Sequence, residues 1–228
     1  MLSFSCSEGG CSLPKKNNNG TTSEKTENEL WKKIMKEETA RCKITSFSTQ
    51  SGEKYPYVIL PFDSRISVDF QWAVVEGLST ILEKEIKNSD AILAIEAKGF
   101  IPACWIAQKY GKDLIIVRKR DYKIPSQIKI EQMKAYGKDI LYCVGLKKGL
   151  KLMIIEDMIS SGGTIIGVAE AIKKYGCKLA GIGSVYERGD GMGQIEKAGY
   201  RAKGLARLEI IDNKPVIARF CTEGSNRS

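Results

Sequence analysis

The chain has 228 residues, 43% hydrophobic and 28% charged, which is ordinary for a soluble globular protein and enough for one α/β domain with a packed core. Histidine is absent, which excludes every imidazole-based nucleophile, and the seven cysteines include no C-x-x-C pair, which argues against a zinc site or a disulfide framework. The net charge is +9, and because Lys15, Lys16 and Lys25 balance Glu8, Glu24 and Glu27 within residues 1–28, the excess belongs to the folded part and implies an anionic partner.

Residues 1–28 are rich in Ser, Gly, Asn, Thr, Lys and Glu, so a disordered tail is expected there. The chain opens without a basic stretch leading into an apolar one, and no apolar run reaches the roughly 18 residues of a membrane span. A cytoplasmic location without a membrane partner is the expectation. A polar helix is predicted from about Glu27 to Arg41, followed by strand-like runs Lys43–Phe47 and Tyr55–Leu60 around the hairpin signal Gln50-Ser51-Gly52-Glu53. From Ser67, the residues Phe70, Val74, Leu78, Ile81 and Leu82 recur at helical spacing up to Asn88-Ser89-Asp90.

Strands and helices then alternate. Ala91–Ile95 reads as an apolar strand, Pro102–Tyr110 as a helix closed by Gly111, and Leu114–Val117 as a second strand. Leu152–Ile155 is a third strand, Gly163–Tyr175 a helix closed by Gly176, and Leu179–Tyr186 and Leu205–Ile211 are the last strands. Uniformly apolar strands between helices predict a mostly parallel sheet covered on both faces. Residues Lys119 to Leu141 interrupt the alternation, being polar, basic and without a clear period. A mobile functional loop is expected there. The expected division is a tail (1–28), an N-terminal helix and hairpin (29–66), a core (67–220) and a C-terminal tail (221–228).

The decisive segment is Leu152-Met-Ile-Ile-Glu156-Asp157-Met-Ile-Ser160-Ser161-Gly162-Gly163-Thr164. An apolar strand leads to two acids and then to a Ser/Gly/Thr turn that opens a helix. Such a turn presents backbone N–H groups and hydroxyls at the positive end of a helix dipole, where phosphate binds, and its glycines permit close backbone approach. The acids stand about 10 Å or less from that phosphate, at ~3.3 Å per extended residue, a distance that suits vicinal ribose hydroxyls. Neither a Walker A pattern nor a complete G-x-G-x-x-G occurs, so a nucleoside triphosphatase or dinucleotide reading has no support.

At all thirteen positions this segment resembles the signature of type I phosphoribosyltransferases for 5-phosphoribosyl-1-pyrophosphate (PRPP). Glu96-Ala97-Lys98-Gly99-Phe100 resembles the family's pyrophosphate loop. Arg118-Lys119-Arg120-x-Tyr122-Lys123-x-Pro125 is similar to the cationic segment of adenine and archaeal hypoxanthine enzymes. The stretch from Val185 through Glu187, Arg188, Asp190, Tyr200 and Arg201 to Arg207 resembles archaeal-type purine enzymes and, more loosely, xanthine enzymes.

The resemblance implies a type I phosphoribosyltransferase fold with a small N-terminal hood, and transfer of a purine to PRPP with release of pyrophosphate and a nucleoside monophosphate. Adenine is slightly favoured over hypoxanthine or guanine. Glu156 and Asp157 would serve the ribose, and Ser160, Ser161, Gly162, Gly163 and Thr164 the 5′-phosphate. Glu96, Ala97, Lys98, Gly99, Arg118, Lys119 and Lys123 would serve the pyrophosphate. Mg²⁺ would be held mainly through PRPP oxygens and water, with no protein metal ligand assigned, and Phe62 and Phe100 would flank the base. A homodimer is implied and a nucleic-acid partner is not. Adenine enzymes commonly carry Glu-Tyr late in the mobile loop. Here the pair is Ala135-Tyr136, which leaves Glu131 as the nearest acid/base candidate. A PRPP-binding regulator without catalysis, and a xanthine or orotate enzyme on the same fold, stay open.

Overall fold

The computed structural model describes residues 24–48, 52, 54–134 and 137–222. Most of the expected N-terminal tail, three residues of the Gln50–Glu53 turn, the Ala135-Tyr136 pair and residues 223–228 lie outside them. Helix α1 spans Glu24–Ala40, β1 Lys43–Ser48, β2 Lys54–Ile59, α2 Val68–Lys87, β3 Ala91–Ile95, α3 Phe100–Tyr110 and β4 Asp113–Arg118. They are followed by β5 Ile128–Lys134, β6 Gly137–Cys143, β7 Lys151–Ile159, α4 Gly163–Tyr175, β8 Lys178–Glu187, α5 Gly191–Lys197, β9 Ala202–Ile211 and β10 Lys214–Phe220.

Strands β1 and β2 pair antiparallel as a separate hairpin, from Lys43 opposite Ile59 to Ser48 opposite Lys54. The main sheet has eight strands in the order β10-β9-β8-β7-β3-β4-β6-β5. Its centre, β9-β8-β7-β3-β4, is parallel, as the apolar strands predicted, and the antiparallel β10, β6 and β5 lie outside it. Side chains alternate faces along a strand, so one apolar run feeds two cores. Ile92 and Ala94 of β3, with Met153 and Ile155 of β7, face the cluster containing Trp31, Phe70, Leu78 and Ile106 from α1, α2 and α3. Leu93 and Ile95, with Leu152 and Ile154, face Ile165, Val168 and Ile172 of α4 and Ile195 of α5.

Local signals set several helix ends. Ser67 Oγ accepts from Phe70 N at 3.1 Å and caps α2. Helix α3 begins at Phe100 rather than Pro102, because proline is tolerated in a first turn whose N–H groups have no helical partner. The expectation of an irregular segment from Lys119 to Leu141 is corrected: a β-hairpin occupies most of it, and among the described residues regular structure is absent only from 119–127. The period was hidden by charge. In Ile128-Lys-Ile-Glu-Gln-Met-Lys, Ile130 is fully buried while Lys129 and Glu131 point outward, and Leu141 and Cys143 of the partner strand are buried. Two further elements were not read from the sequence. The edge strand β10 carries Pro215 near its start, where proline is tolerated, and α5 contains two glycines in seven residues.

Candidate functional site

Chain order brings two loops together at the carboxyl edge of the sheet, because β3 and β7 are parallel neighbours. The loop after β3 supplies Glu96, Ala97 and Lys98, and the end of β7 supplies Glu156 to Gly162. With Ile95, Thr164 and Ile165 they line a cleft of about 230 Å³. A larger groove of about 710 Å³ lies beside β4 and β6, lined largely by apolar residues such as Leu114, Ile116 and Ile124. The acid pair and the phosphate-type turn are in the smaller cleft, which is therefore the candidate site. Strand β7 runs on through the acids to Ile159, so backbone pairing fixes the positions of both carboxyls.

Helix α4 starts directly after Gly162, whose φ of +79° is left-handed. A Cβ there would sit 2.7 Å from the Gly191 carbonyl oxygen, and one on Gly191 would sit 2.5 Å from the Ser160 carbonyl oxygen. The turn 160–162 is thus pressed against the start of α5, and both positions require glycine. Gly99 is equally constrained: a Cβ would overlap Glu156 Oε1 and lie 2.9 Å from the Ile95 carbonyl oxygen.

Glu156 is 9% exposed and Asp157 6% exposed. Burial pushes the Glu156 pKa well up, and the Asp157 charge and side-chain hydrogen bond add to it, against a weaker pull from the Asp157 amide and Lys98. Glu156 Oε1 accepts from Asp157 N at 3.0 Å. Asp157 Oδ2 has Lys98 Nζ at 3.3 Å, but no group is aligned to donate to it, so this buried oxygen is available to a hydroxyl or a cation.

The stability consequence of the raised Glu156 pKa has a definite sign. The folded state binds this proton more tightly than the unfolded state, so the cost of ionisation is absent below about 4.5, the ordinary value, and grows as pH rises from there towards the folded value. Gln keeps an oxygen for the Asp157 amide and never ionises. Glu156→Gln is therefore expected to raise the thermal midpoint by a few degrees at neutral pH, with the gain shrinking towards pH ~4.5. A pH series of thermal melts checks this, and equal midpoints across the series would refute it.

Lys98 reaches beyond the cleft. Its Nζ lies 3.0 Å from Tyr57 Oη and 3.2 Å from Asp63 Oδ1, as well as near Asp157. Burial pushes its pKa down, but the Asp157 charge, the Tyr57 hydrogen bond and the Asp63 charge together raise it, so it is a cation. Tyr57 is on β2 and Asp63 ends a 3₁₀ turn, Pro61–Asp63, that follows it. Neither residue belongs to a motif, and their sequence distance from Lys98 leaves no signal that would have found them. Arg188 at the end of β8 donates to the Pro56 carbonyl at 3.0 Å, a second tie between this hairpin and the sheet.

The other sequence-predicted residues fall in different places. Glu96 accepts from Lys119 N at 2.7 Å and has Arg118 Nε at 3.8 Å, so it anchors the start of the cationic segment. Arg118 itself lines the larger groove. Lys119 and Lys123 do not line the cleft, and Lys123 has a left-handed φ of 54°. Glu131 is not brought to the acid pair: it stands on β5, the outermost strand, with Lys129 Nζ 3.1 Å from its carboxylate. Phe62 and Phe100 do not line the cleft. Phe62 is 7% exposed and packs edge-on to Phe70 at 5.4 Å, and Phe100 packs against the same core. Among the described residues no group of three or more acidic or cysteine side chains could cage a metal ion, and no helix is long and apolar enough to cross a membrane.

Residues 72–213 match the family model of the phosphoribosyl transferase domain. A hypoxanthine/guanine phosphoribosyltransferase of Methanotorris igneus is 34% identical over 176 residues, 76% of this chain and 96% of that protein. The enzyme of the same name from Methanocaldococcus jannaschii is 32% identical over 186 residues, 81% of this chain and 99% of that protein. Among solved structures, an adenine phosphoribosyltransferase from Thermoanaerobacter pseudethanolicus superposes with a TM-score of 0.62 at 23% identity, covering 80% of this chain and 99% of that one.

Proposed function

Because this chain belongs to the phosphoribosyl transferase family, we propose that it transfers the 5-phosphoribosyl group of PRPP to a purine base, releasing pyrophosphate and a purine nucleoside monophosphate. The observation that carries the proposal is the cleft where the Glu156-Asp157 pair, Ser160, Ser161, Gly162 and Thr164 of the turn, and Glu96, Ala97 and Lys98 of the loop converge. The two relatives described above, both more than 30% identical, are named for hypoxanthine and guanine, while the adenine enzyme superposes at 23% identity, so a 6-oxopurine is the favoured base.

The reaction breaks the bond between ribose C1 and the pyrophosphate oxygen while a base nitrogen attacks C1. The protein's work is positioning and electrostatic support of the departing pyrophosphate, which requires no imidazole. Ser160, Ser161 and Thr164, with the backbone N–H groups of the turn, hold the 5′-phosphate at the N-terminus of α4. Asp157 accepts from the ribose hydroxyls. Glu156, whose pKa is raised by burial and by the Asp157 charge, stands beside it as a hydrogen-bonding partner. Lys98 and the backbone of Ala97 and Gly99 take the pyrophosphate, and Glu96 anchors the start of the cationic segment through the Lys119 amide and Arg118. The β1–β2 hairpin and the 61–63 turn form the hood over the base.

A Mg²⁺ ion fits this donor set. Asp157 Oδ2 offers an oxygen without an aligned hydrogen-bond donor, and it would hold the ion together with water and substrate oxygens. When bound, it neutralises the charge that develops on pyrophosphate.

The test is pyrophosphate release with PRPP and Mg²⁺, supplying hypoxanthine, guanine, adenine, xanthine and orotate separately. Turnover with hypoxanthine or guanine is expected. No turnover with any base, together with measurable PRPP binding, would replace this reading with that of a PRPP-responsive regulator.

A further inference from the structure

Lys98 is the one cation of the Glu96–Gly99 loop, and its surroundings are asymmetric. On the core side it meets Asp157 at 3.3 Å. On the hood side it meets Tyr57 Oη at 3.0 Å and Asp63 Oδ1 at 3.2 Å, and Tyr57 itself donates to that Asp63 oxygen at 2.8 Å. The Tyr57 ring centroid is 5.5 Å from the ammonium, which meets the hydroxyl end of the ring and not its face. The hood pair is fixed in turn. Asp63 Oδ2 accepts from Leu60 N at 3.1 Å, and the Tyr57 ring packs edge-on to Phe47 at 5.1 Å. The Asp63 side chain is 20% exposed, that of Lys98 29% and that of Asp157 9%, so the charges face one another with limited water between them.

We propose that Tyr57 and Asp63 are positioning residues for the pyrophosphate-binding cation, holding the Lys98 ammonium between hood and core so that Asp157 does not capture it. This rests on the reading that the cleft takes the pyrophosphate of PRPP. With one carboxylate on each side, neither owns the ammonium, and it stays at the mouth of the cleft. Without Asp63, Lys98 and Asp157 form a simple partly buried pair. Two groups needed by the substrate, a cation for pyrophosphate and an acceptor for ribose, then satisfy each other and must be separated before the substrate binds. Tyr57 acts through both ends of its hydroxyl, accepting from Lys98 and donating to Asp63. The hood thus sets affinity at the pyrophosphate end of the site as well as covering the base.

The experiment titrates inorganic pyrophosphate with Mg²⁺ into the wild type, Asp63→Asn, Tyr57→Phe, Lys98→Ala and the Asp63→Asn/Lys98→Ala double variant by calorimetry, with a thermal melt of each. Asp63→Asn is expected to weaken pyrophosphate binding about fivefold, the size of one ordinary hydrogen bond, and Tyr57→Phe by less. In the Lys98→Ala background, Asp63→Asn is expected to change nothing further, because its target is gone. Wild-type affinity in Asp63→Asn would overturn the proposal. So would an equal loss with and without Lys98, which would mark Asp63 as a purely structural residue of the hood. If the wild type turns over a purine with PRPP while Asp63→Asn titrates normally, this inference alone falls. If the wild type neither turns over nor binds pyrophosphate, the functional reading falls with it.

Discussion

Asp157→Asn is expected to lower kcat/KM for PRPP by about a hundredfold, the worth of a lost charged acceptor in a water-poor site. Burial and the neighbouring Asp157 charge both raise the Glu156 pKa, and it is Asp157 that carries the buried oxygen without an aligned donor. In the amide variant an NH₂ group can occupy the place of Oδ2, which has no aligned hydrogen-bond donor, where it would face Lys98 and offer a ribose hydroxyl a donor instead of an acceptor. The fold should survive the change. The two side chains are nearly the same size, and Lys98 keeps Tyr57 and Asp63 as partners. The thermal midpoint is therefore expected to move by only a few degrees. Steady-state kinetics with PRPP varied, alongside melts, separate the two effects. A kcat/KM within threefold of wild type would remove Asp157 from the role given to it.

Gly162→Ala is expected to raise KM for PRPP about thirtyfold, since two separate penalties act at one residue. The first is conformational: a φ of +79° costs any residue with a Cβ roughly 1–2 kcal/mol. The second is steric: the new methyl would sit 2.7 Å from the Gly191 carbonyl oxygen, a backbone atom that cannot rotate aside. Relief requires the turn 160–162 to part from the start of α5, and that displaces the N–H groups meant for phosphate. Binding of inorganic phosphate and of PRPP should weaken together, while affinity for the base should change little. A variant with wild-type KM for PRPP would show that the 5′-phosphate is held elsewhere.

Much of this protein was legible before its structure. The parallel centre of the sheet follows from β3, β4 and β7, whose runs are apolar on both faces, although β4 exposes Ile116 on one of them. The two acids and the Ser/Gly/Thr turn lie in one continuous stretch, so neighbouring positions along the chain guarantee neighbouring positions in space. Helix ends at Ser67, Gly111 and Gly176 carry their own capping chemistry. The β5–β6 hairpin was misread because its alternation is carried by few apolar residues among lysines, and pairing with β4, not propensity, makes it a sheet edge. Helix α5 has a glycine-rich sequence with weak intrinsic preference, and Ile195, buried against α4, holds it in place.

The sequence by itself determined the chemistry available: two acids, a phosphate turn, a cationic loop and no imidazole. Tertiary structure alone decided which of these meet. It placed Glu131 on an outer strand and Phe62 in a core, and it brought Tyr57 and Asp63 to Lys98 across 41 residues in the first case. The physical reason is range. A motif records groups held together by adjacent backbone, whereas the partner of a long side chain is set by how separate elements pack, which no local pattern encodes.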